Sequence, residues 1–267
     1  MKIISYTIFG EQKIYKSGLL NNIKIAKSIL PDWKIMIHAC SLVDKDFVDN
    51  CRDSNTEIIV KERKFKYEPL LWRMLPMEED HEAVIVRDVD TRIWQRDKNL
   101  IDDWLNSDFK FHLARENLGS DWPIMAGLWG GKKPNLKIED KFNRWYKKLN
   151  LNKNSYINDQ KFLSKYIYSM IRKDLIVYSD HVVMECEKNI KSIPGGKSYY
   201  KGKRIMLGMP VIDDFFEEDK FHDEEYTVSQ NISKYEERIM HWNSRDEEIM
   251  PANPKVMTPF NKYSNLF

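Results

Sequence analysis

The sequence predicts an α/β fold in which a mostly parallel central sheet is flanked by helices. Three observations lead there. Short runs rich in Ile, Val, Tyr and Phe alternate with stretches of helical periodicity over residues 1–90. The run EAVIVRD at 82–88 is apolar almost throughout, as a strand covered on both faces requires. A chain of 267 residues, 42% hydrophobic and 31% charged, can bury a large core without disulfide or metal staples.

KIISYTIF at 2–9 reads as a buried first strand, ended by Gly10, that delivers its carboxyl end into a loop. From Gly18 to Leu30 the apolar Leu19, Ile23, Ala26 and Leu30 recur at helical spacing, and Pro31 with Asp32 stops the run. Strands follow at 33–39 and 56–60, separated by a short helix at 43–51; a helix at 68–75 precedes the strand at 82–88. Four β-α repeats imply a parallel sheet, whose ligands collect beyond the carboxyl ends of the strands. Further on come a helix near 98–105, strands near 110–115 and 124–129, amphipathic helices near 139–149 and 158–171, and a strand in DLIVYS. Residues 188–204, KNIKSIPGGKSYYKGKR, read as a flexible cationic loop, and 213–225 are acidic. The expected organisation is one domain over 1–210 with a C-terminal appendage, 211–267, packed on it.

The 43 basic and 41 acidic side chains leave a net charge of +2, too small to bind a polyanion through the field of the whole protein. A nucleic-acid role would rest on Tyr199 and Tyr200 of the basic loop alone, and none is expected. Cys40, Cys51 and Cys186 form no CxxC pair, which fits a reducing compartment. No segment reaches the roughly 18 apolar residues of a membrane span, so a cytoplasmic protein is expected.

VIVRDVDTRIW places Asp88 and Asp90 two residues apart directly after the buried strand, and such hard oxygen ligands suit Mn²⁺ or Mg²⁺. A cation there would offset charge developing on a departing diphosphate. Two acids at a strand end repel each other unless something cationic compensates. The other reading makes them turn caps, compensated by Arg87, Arg92 and Arg96.

With these residues in view the chain resembles the GT-A (Rossmann-like) glycosyltransferases, and in part the retaining enzymes related to glycogenin and the bacterial lipopolysaccharide galactosyltransferases. The likeness covers roughly residues 1–210. Its most specific stretch is LLWRMLPMEEDHEAVIVRDVDTRI, similar to the family's helix with an aromatic-x-Arg-Leu-like pattern, an acidic loop, a strand and the DxD motif. The resemblance implies that Arg73 lies against the donor diphosphate or the acidic pair, with Arg87 also in the donor site. SYTIFG is similar to the segment that meets the base and ribose, which makes Thr7, Phe9 and Gly10 donor-binding candidates. PIMAGLWGGKK resembles the strand lining the sugar pocket, with Trp129 stacked on a sugar and Gly130 and Gly131 allowing close approach; a core tryptophan and turn glycines are the alternative. INDQKFLSKYI resembles the family's Asp-Gln pair, making Asp159 the catalytic candidate and Gln160 a donor contact, where the alternative is a helix N-cap. His181 is the implied third metal ligand beside Asp88 and Asp90, or else a satisfied polar residue. Lys197 belongs to the loop that would close over the diphosphate, although the family's His-x-x-Gly-x-x-Lys pattern is missing there.

The implied activity is metal-dependent transfer of a sugar from a nucleotide diphosphate sugar, UDP favoured and GDP possible, to a hydroxyl of a glycan or glycoconjugate. Retention is favoured over inversion. Nucleotidyl transfer is the competing chemistry, but residues 9–18 hold no Gly-rich phosphate loop. A catalytically inactive carbohydrate- or partner-binding module of the same fold is the competing non-enzymatic reading.

Overall fold

The computed structural model describes residues 1–116, 122–148, 157–195, 198–200, 203–211 and 255–257. Its centre is an eight-stranded sheet built in chain order from β1 (Lys2–Ile8), β2 (Trp33–Cys40), β3 (Thr56–Lys61), β4 (Ala83–Val86), β5 (Phe111–Arg115), β6 (Trp129–Lys132), β7 (Leu175–Ser179) and β9 (Ile190–Lys191). The spatial order is β3-β2-β1-β4-β6-β5-β7-β9. All neighbours pair parallel except β6, which runs antiparallel to both β4 and β5. The mixed α/β architecture with a mostly parallel sheet is therefore the one expected.

Helices cover both faces and divide the core in two. On one side α1 (Lys13–Ile29), α2 (Lys45–Asn50) and α4 (Gln95–Leu105) bury Leu19, Ile23, Ala26, Leu100, Ile101 and Trp104 against Ile4, Tyr6, Ile35 and Ile37. On the other, α5 (Ile138–Lys148), α6 (Asn158–Phe162) and α7 (Tyr168–Ile171) bury Phe142, Trp145, Phe162 and Tyr168 against Val84, Val86, Leu113 and Trp129. Alternate residues of one strand enter opposite cores, which explains why EAVIVRD carries no polar alternation.

Four boundaries differ from the sequence reading, each for a local reason. Helix α1 starts at Lys13, not Gly18; its first turn, Lys13 to Lys16, holds two lysines and only partly buried Ile14 and Tyr15, too few positions to extend the periodicity. The helix expected at 68–75 is a single turn, α3 (Pro69–Trp72), followed by a 3₁₀ turn over Leu75–Glu78 that contains Pro76. The strand expected at 124–129 begins only at Trp129, so the segment before it is irregular and free to line a cleft. Residues 158–171 are helical throughout, but Leu163–Ile167 forms a π-turn between α6 and α7.

The segment read as a basic loop contains β9 and a hairpin of β10 (Ser198–Tyr200) with β11 (Lys203–Ile205), while Lys197 lies outside the described residues. Of the expected appendage, only Val211 and 255–257 are described. The latter form β12 (Lys255–Met257), which pairs parallel with β8 (Val182–Met184). Among the described residues no helix is long and apolar enough to cross a membrane.

Candidate active site

Strands β1 and β4 are neighbours and parallel, so their carboxyl ends open on the same edge of the sheet. There Thr7, Ile8 and Phe9 from β1 and its exit meet Asp88, Val89, Asp90 and Thr91 from the loop after β4. Leu70 comes from the helical turn α3 and Arg73 from the residue that ends it, Tyr15 from α1, Ala126 from the segment before β6, and Ile157, Asp159 and Gln160 from the start of α6. Gly208 and Pro210 complete the wall of a cleft of about 280 Å³. Seven separate stretches of chain thus converge where an open parallel sheet collects ligands.

Arg73 is the hub. One guanidinium nitrogen pairs with Asp88 Oδ1 and another donates to Asp159 Oδ2 at 2.7 Å. Arg73 and Asp159 are buried, whereas the Asp88 side chain keeps 33% of its exposure and so still faces the cleft. Burial works against the charge on Arg73, and the facing carboxylates of Asp88, Asp159 and Asp90 more than reverse that, so its proton is held more tightly than usual. Burial, then the Asp88 charge, pushes the Asp90 carboxyl up to about 6; Arg73 and Arg92 oppose the shift. Asp159 is likewise raised to about 6 by burial, against the pull of Arg73. The Gln160 N–H also donates to Asp159 Oδ1 at 2.8 Å, so that carboxylate is oriented from two sides.

The cleft lining therefore carries three carboxylates, Asp88, Asp90 and Asp159, against the single guanidinium of Arg73. This surplus of negative charge, partly withdrawn from water, is a setting that a divalent cation relieves. Asp88 and Asp90 fit that role as two hard oxygen donors on one loop. A cation of the Mg²⁺ type needs only one or two protein carboxylates when phosphate oxygens and water complete its shell. In keeping with that, no group of three or more His, Cys, Asp or Glu among the described residues is spaced to hold a metal by itself.

Of the residues singled out by sequence, Thr7, Phe9, Arg73, Asp88, Asp90, Asp159 and Gln160 line this one cleft. Gly10 stands at its margin, with the Tyr15 ring 3.1 Å from where a Cβ would be. The others are elsewhere. Arg87 points away beneath the acidic loop, 3.2 Å from Asp97 Oδ1 and donating to the Val86 carbonyl at 2.9 Å; the strand's alternation sends residue 87 to the face opposite Asp88. Trp129 is fully buried in the second core, so its ring meets core side chains and not the cleft. Gly130 and Gly131 lie inside β6, where a Cβ would strike His112 and the Val84 carbonyl or the Phe111 ring; their smallness serves packing. His181 is buried in the turn between β7 and β8 and is not among the residues of the cleft lining; among the described residues no metal-spaced group unites it with Asp88 and Asp90.

Sequence reading missed Tyr15, Leu70, Ala126, Ile157 and the stretch Leu207–Val211. The last is tied to the acidic loop: the Val211 N–H donates to the Asp90 carbonyl at 2.7 Å, and the Leu207 N–H to buried Glu116 at 2.6 Å. Gly208 adopts φ +73°, the left-handed region that glycine favours, so LGMP was legible as a turn but not as a cleft wall.

No protein-family model and no curated protein matches the chain. Among solved structures it is similar to a galactosyltransferase, LgtC, in complex with donor and acceptor sugar analogues, at 13% identity over 69% of this chain and 76% of that one, with a TM-score of 0.49. It is also similar to a mannosyltransferase from Pyrobaculum calidifontis in complex with GDP-Man and Mn²⁺, at 13% identity over 72% and 57% and a TM-score of 0.43. A third structure, from Bacillus anthracis and described as a glucose-1-phosphate thymidylyltransferase in complex with a sucrose, matches at 13% identity over 67% and 85%, with a TM-score of 0.41. Similarity of this extent leaves the chemistry to the residues of the cleft.

Proposed function

We propose that the protein is a GT-A type glycosyltransferase that moves a sugar from a nucleotide diphosphate sugar, UDP favoured over GDP, to a hydroxyl of a glycan or glycoconjugate. The observation that carries this reading is the convergence of Asp88, Asp90 and Asp159 on Arg73 in one open cleft at the carboxyl ends of parallel strands.

Asp88 and Asp90 are the residues that would hold Mn²⁺ or Mg²⁺. When bound, the cation supplies positive charge for a diphosphate leaving group. The aromatic Phe9 and Tyr15, beside Thr7, form the wall suited to a nucleoside. Asp159, held by Arg73 and by the Gln160 backbone, offers a fixed carboxylate to the transferring sugar. Retention is favoured over inversion on the likeness of the Asp159-Gln160 stretch to that of the retaining enzymes.

The test is release of nucleoside diphosphate from UDP- and GDP-sugars by the purified protein in the presence of Mn²⁺. Turnover of one donor class, abolished in Asp90→Asn, supports the reading. A protein silent toward both classes, with folded Asp90→Asn indistinguishable from wild type, contradicts it. One observation favours a second reading: Arg73 already bridges Asp88 and Asp159, so the acids are partly neutralised from within, as in a module that binds carbohydrate or a partner without turnover. Binding of a sugar ligand without donor cleavage would select it.

A further inference from the structure

The acidic loop is gripped from behind by a residue whose position makes sense only in relation to that loop. Asn22 lies in the interior of α1, fully buried, where asparagine is a poor helix former. Its amide nitrogen donates to the Val89 carbonyl at 3.2 Å and to the Thr91 carbonyl at 2.7 Å, the two carbonyls that flank Asp90. Its carbonyl oxygen, Oδ1, is buried with no hydrogen-bond partner among the described residues. A buried unmatched acceptor inside a helix costs stability, and a leucine there would serve the core better. Departures of this kind from the local rules are expected where a side chain serves a site and not the fold.

Further contacts act on the same loop. One turn earlier on α1, Gly18 faces the Val89 carbonyl so closely that a Cβ would overlap it. Beside Gly18, Arg92 donates to the same two carbonyls, at 3.3 Å to Val89 and 2.8 Å to Thr91, while the Thr91 hydroxyl closes the turn onto the Asp88 carbonyl at 3.1 Å. The backbone on either side of Asp90 is thereby turned toward α1, leaving the aspartate side chains to the cleft.

We infer that Asn22, seated by Gly18, is a positioning residue that fixes the Asp88–Asp90 loop in its cation-binding form. The inference rests on the metal-dependent reading of the cleft. It assigns to α1 a role in metal affinity at a distance from any ligand, through two backbone carbonyls.

The experiment is calorimetric titration of Mn²⁺ in the presence of whichever of UDP or GDP the wild type binds, on wild type, Asn22→Ala, Gly18→Ala and Leu19→Ala, with melting temperatures measured alongside. Leu19 is buried on the same helix but its side chain has no hydrogen bond to offer the loop carbonyls, so Leu19→Ala destabilises while leaving Mn²⁺ affinity unchanged. Asn22→Ala weakens Mn²⁺ binding by about tenfold, the scale of one hydrogen-bonded clamp. Gly18→Ala improves helix propensity yet weakens Mn²⁺ binding in the same direction by pushing on Val89, and it keeps the test decisive should Asn22→Ala fail to fold. Wild-type affinity in Asn22→Ala, or in Gly18→Ala, overturns the clamp while the proposed activity stands. A wild type that binds neither nucleotide with Mn²⁺ overturns both.

Discussion

Arg73 is enclosed with two acids, and the consequence is measurable at that residue. Replacing it by Met leaves Asp159 buried without its main counter-charge, a change on the order of 3 kcal/mol in stability near neutral pH. The loss shrinks toward pH 5. Asp159 is already raised by burial to about 6 in the folded protein, so acidification protonates it and removes the stranded charge. Chemical unfolding of the Arg73→Met variant at both pH values checks this; an undiminished loss at pH 5 would mean that Asp159 is not the stranded group. Asp159→Asn should retain a hydrogen-bonding partner for Arg73, bind the nucleotide as wild type does, and lose at least about 100-fold in donor turnover if the carboxylate acts on the sugar. Such residue-level roles were only partly legible. Asp88 and Asp90 stood out because paired charge directly after an apolar strand is conspicuous, whereas Arg73 and Asp159 were picked out only by the resemblance to the glycosyltransferases. Arg87 did not sort itself from Arg73, because the face to which a strand residue points depends on register.

At the scale of single elements, β6 gives the clearest separation of packing from function. A Cβ on Gly130 would lie 2.6 Å from His112 Nε2 and 2.7 Å from the Val84 carbonyl. Gly130→Ala is therefore expected to destabilise by about 2 kcal/mol through overpacking while the apparent affinity for the donor stays unchanged. A specific loss of donor affinity at wild-type stability would return Gly130 to the sugar pocket. Strand β2 makes a pH-dependent contribution through His38, which burial, and then the charge of Lys61, lowers to about 4. The unfolded chain takes up this proton near pH 6.5 and the folded chain does not. Stability tied to His38 is thus complete above about pH 6.5 and is lost as the pH falls from there toward 4, by about 2 kcal/mol at pH 5. Asp90 and Asp159, raised to about 6, act with the opposite sign over a similar range, so the comparison must be made between wild type and His38→Gln, with the wild type losing more. The strands and helices were largely readable because α/β alternation writes two periodicities into one chain. What periodicity could not supply was β6 running antiparallel, since direction depends on partners distant in sequence.

For the molecule as a whole, the cleft is an electrostatic statement. Three carboxylates and one engaged guanidinium line it, and a diphosphate brought there alone would meet repulsion. On the proposed reading a cation enters before, or together with, the nucleotide. The fold class followed from patterning and length, and the location of the site from the topology of parallel strands. The cleft walls contributed by Tyr15, Ala126 and Gly208 did not, because they come from turns and helix ends whose approach to Asp88 is fixed only by tertiary packing. The most direct measurement is calorimetric titration of the wild-type protein with UDP and with GDP, each with and without Mn²⁺, repeated on a folded Asp88→Ala, Asp90→Ala double variant. Binding of one nucleotide that requires Mn²⁺ and is lost in the variant is the predicted result; binding that ignores both the cation and the two aspartates, or no binding at all, would contradict it.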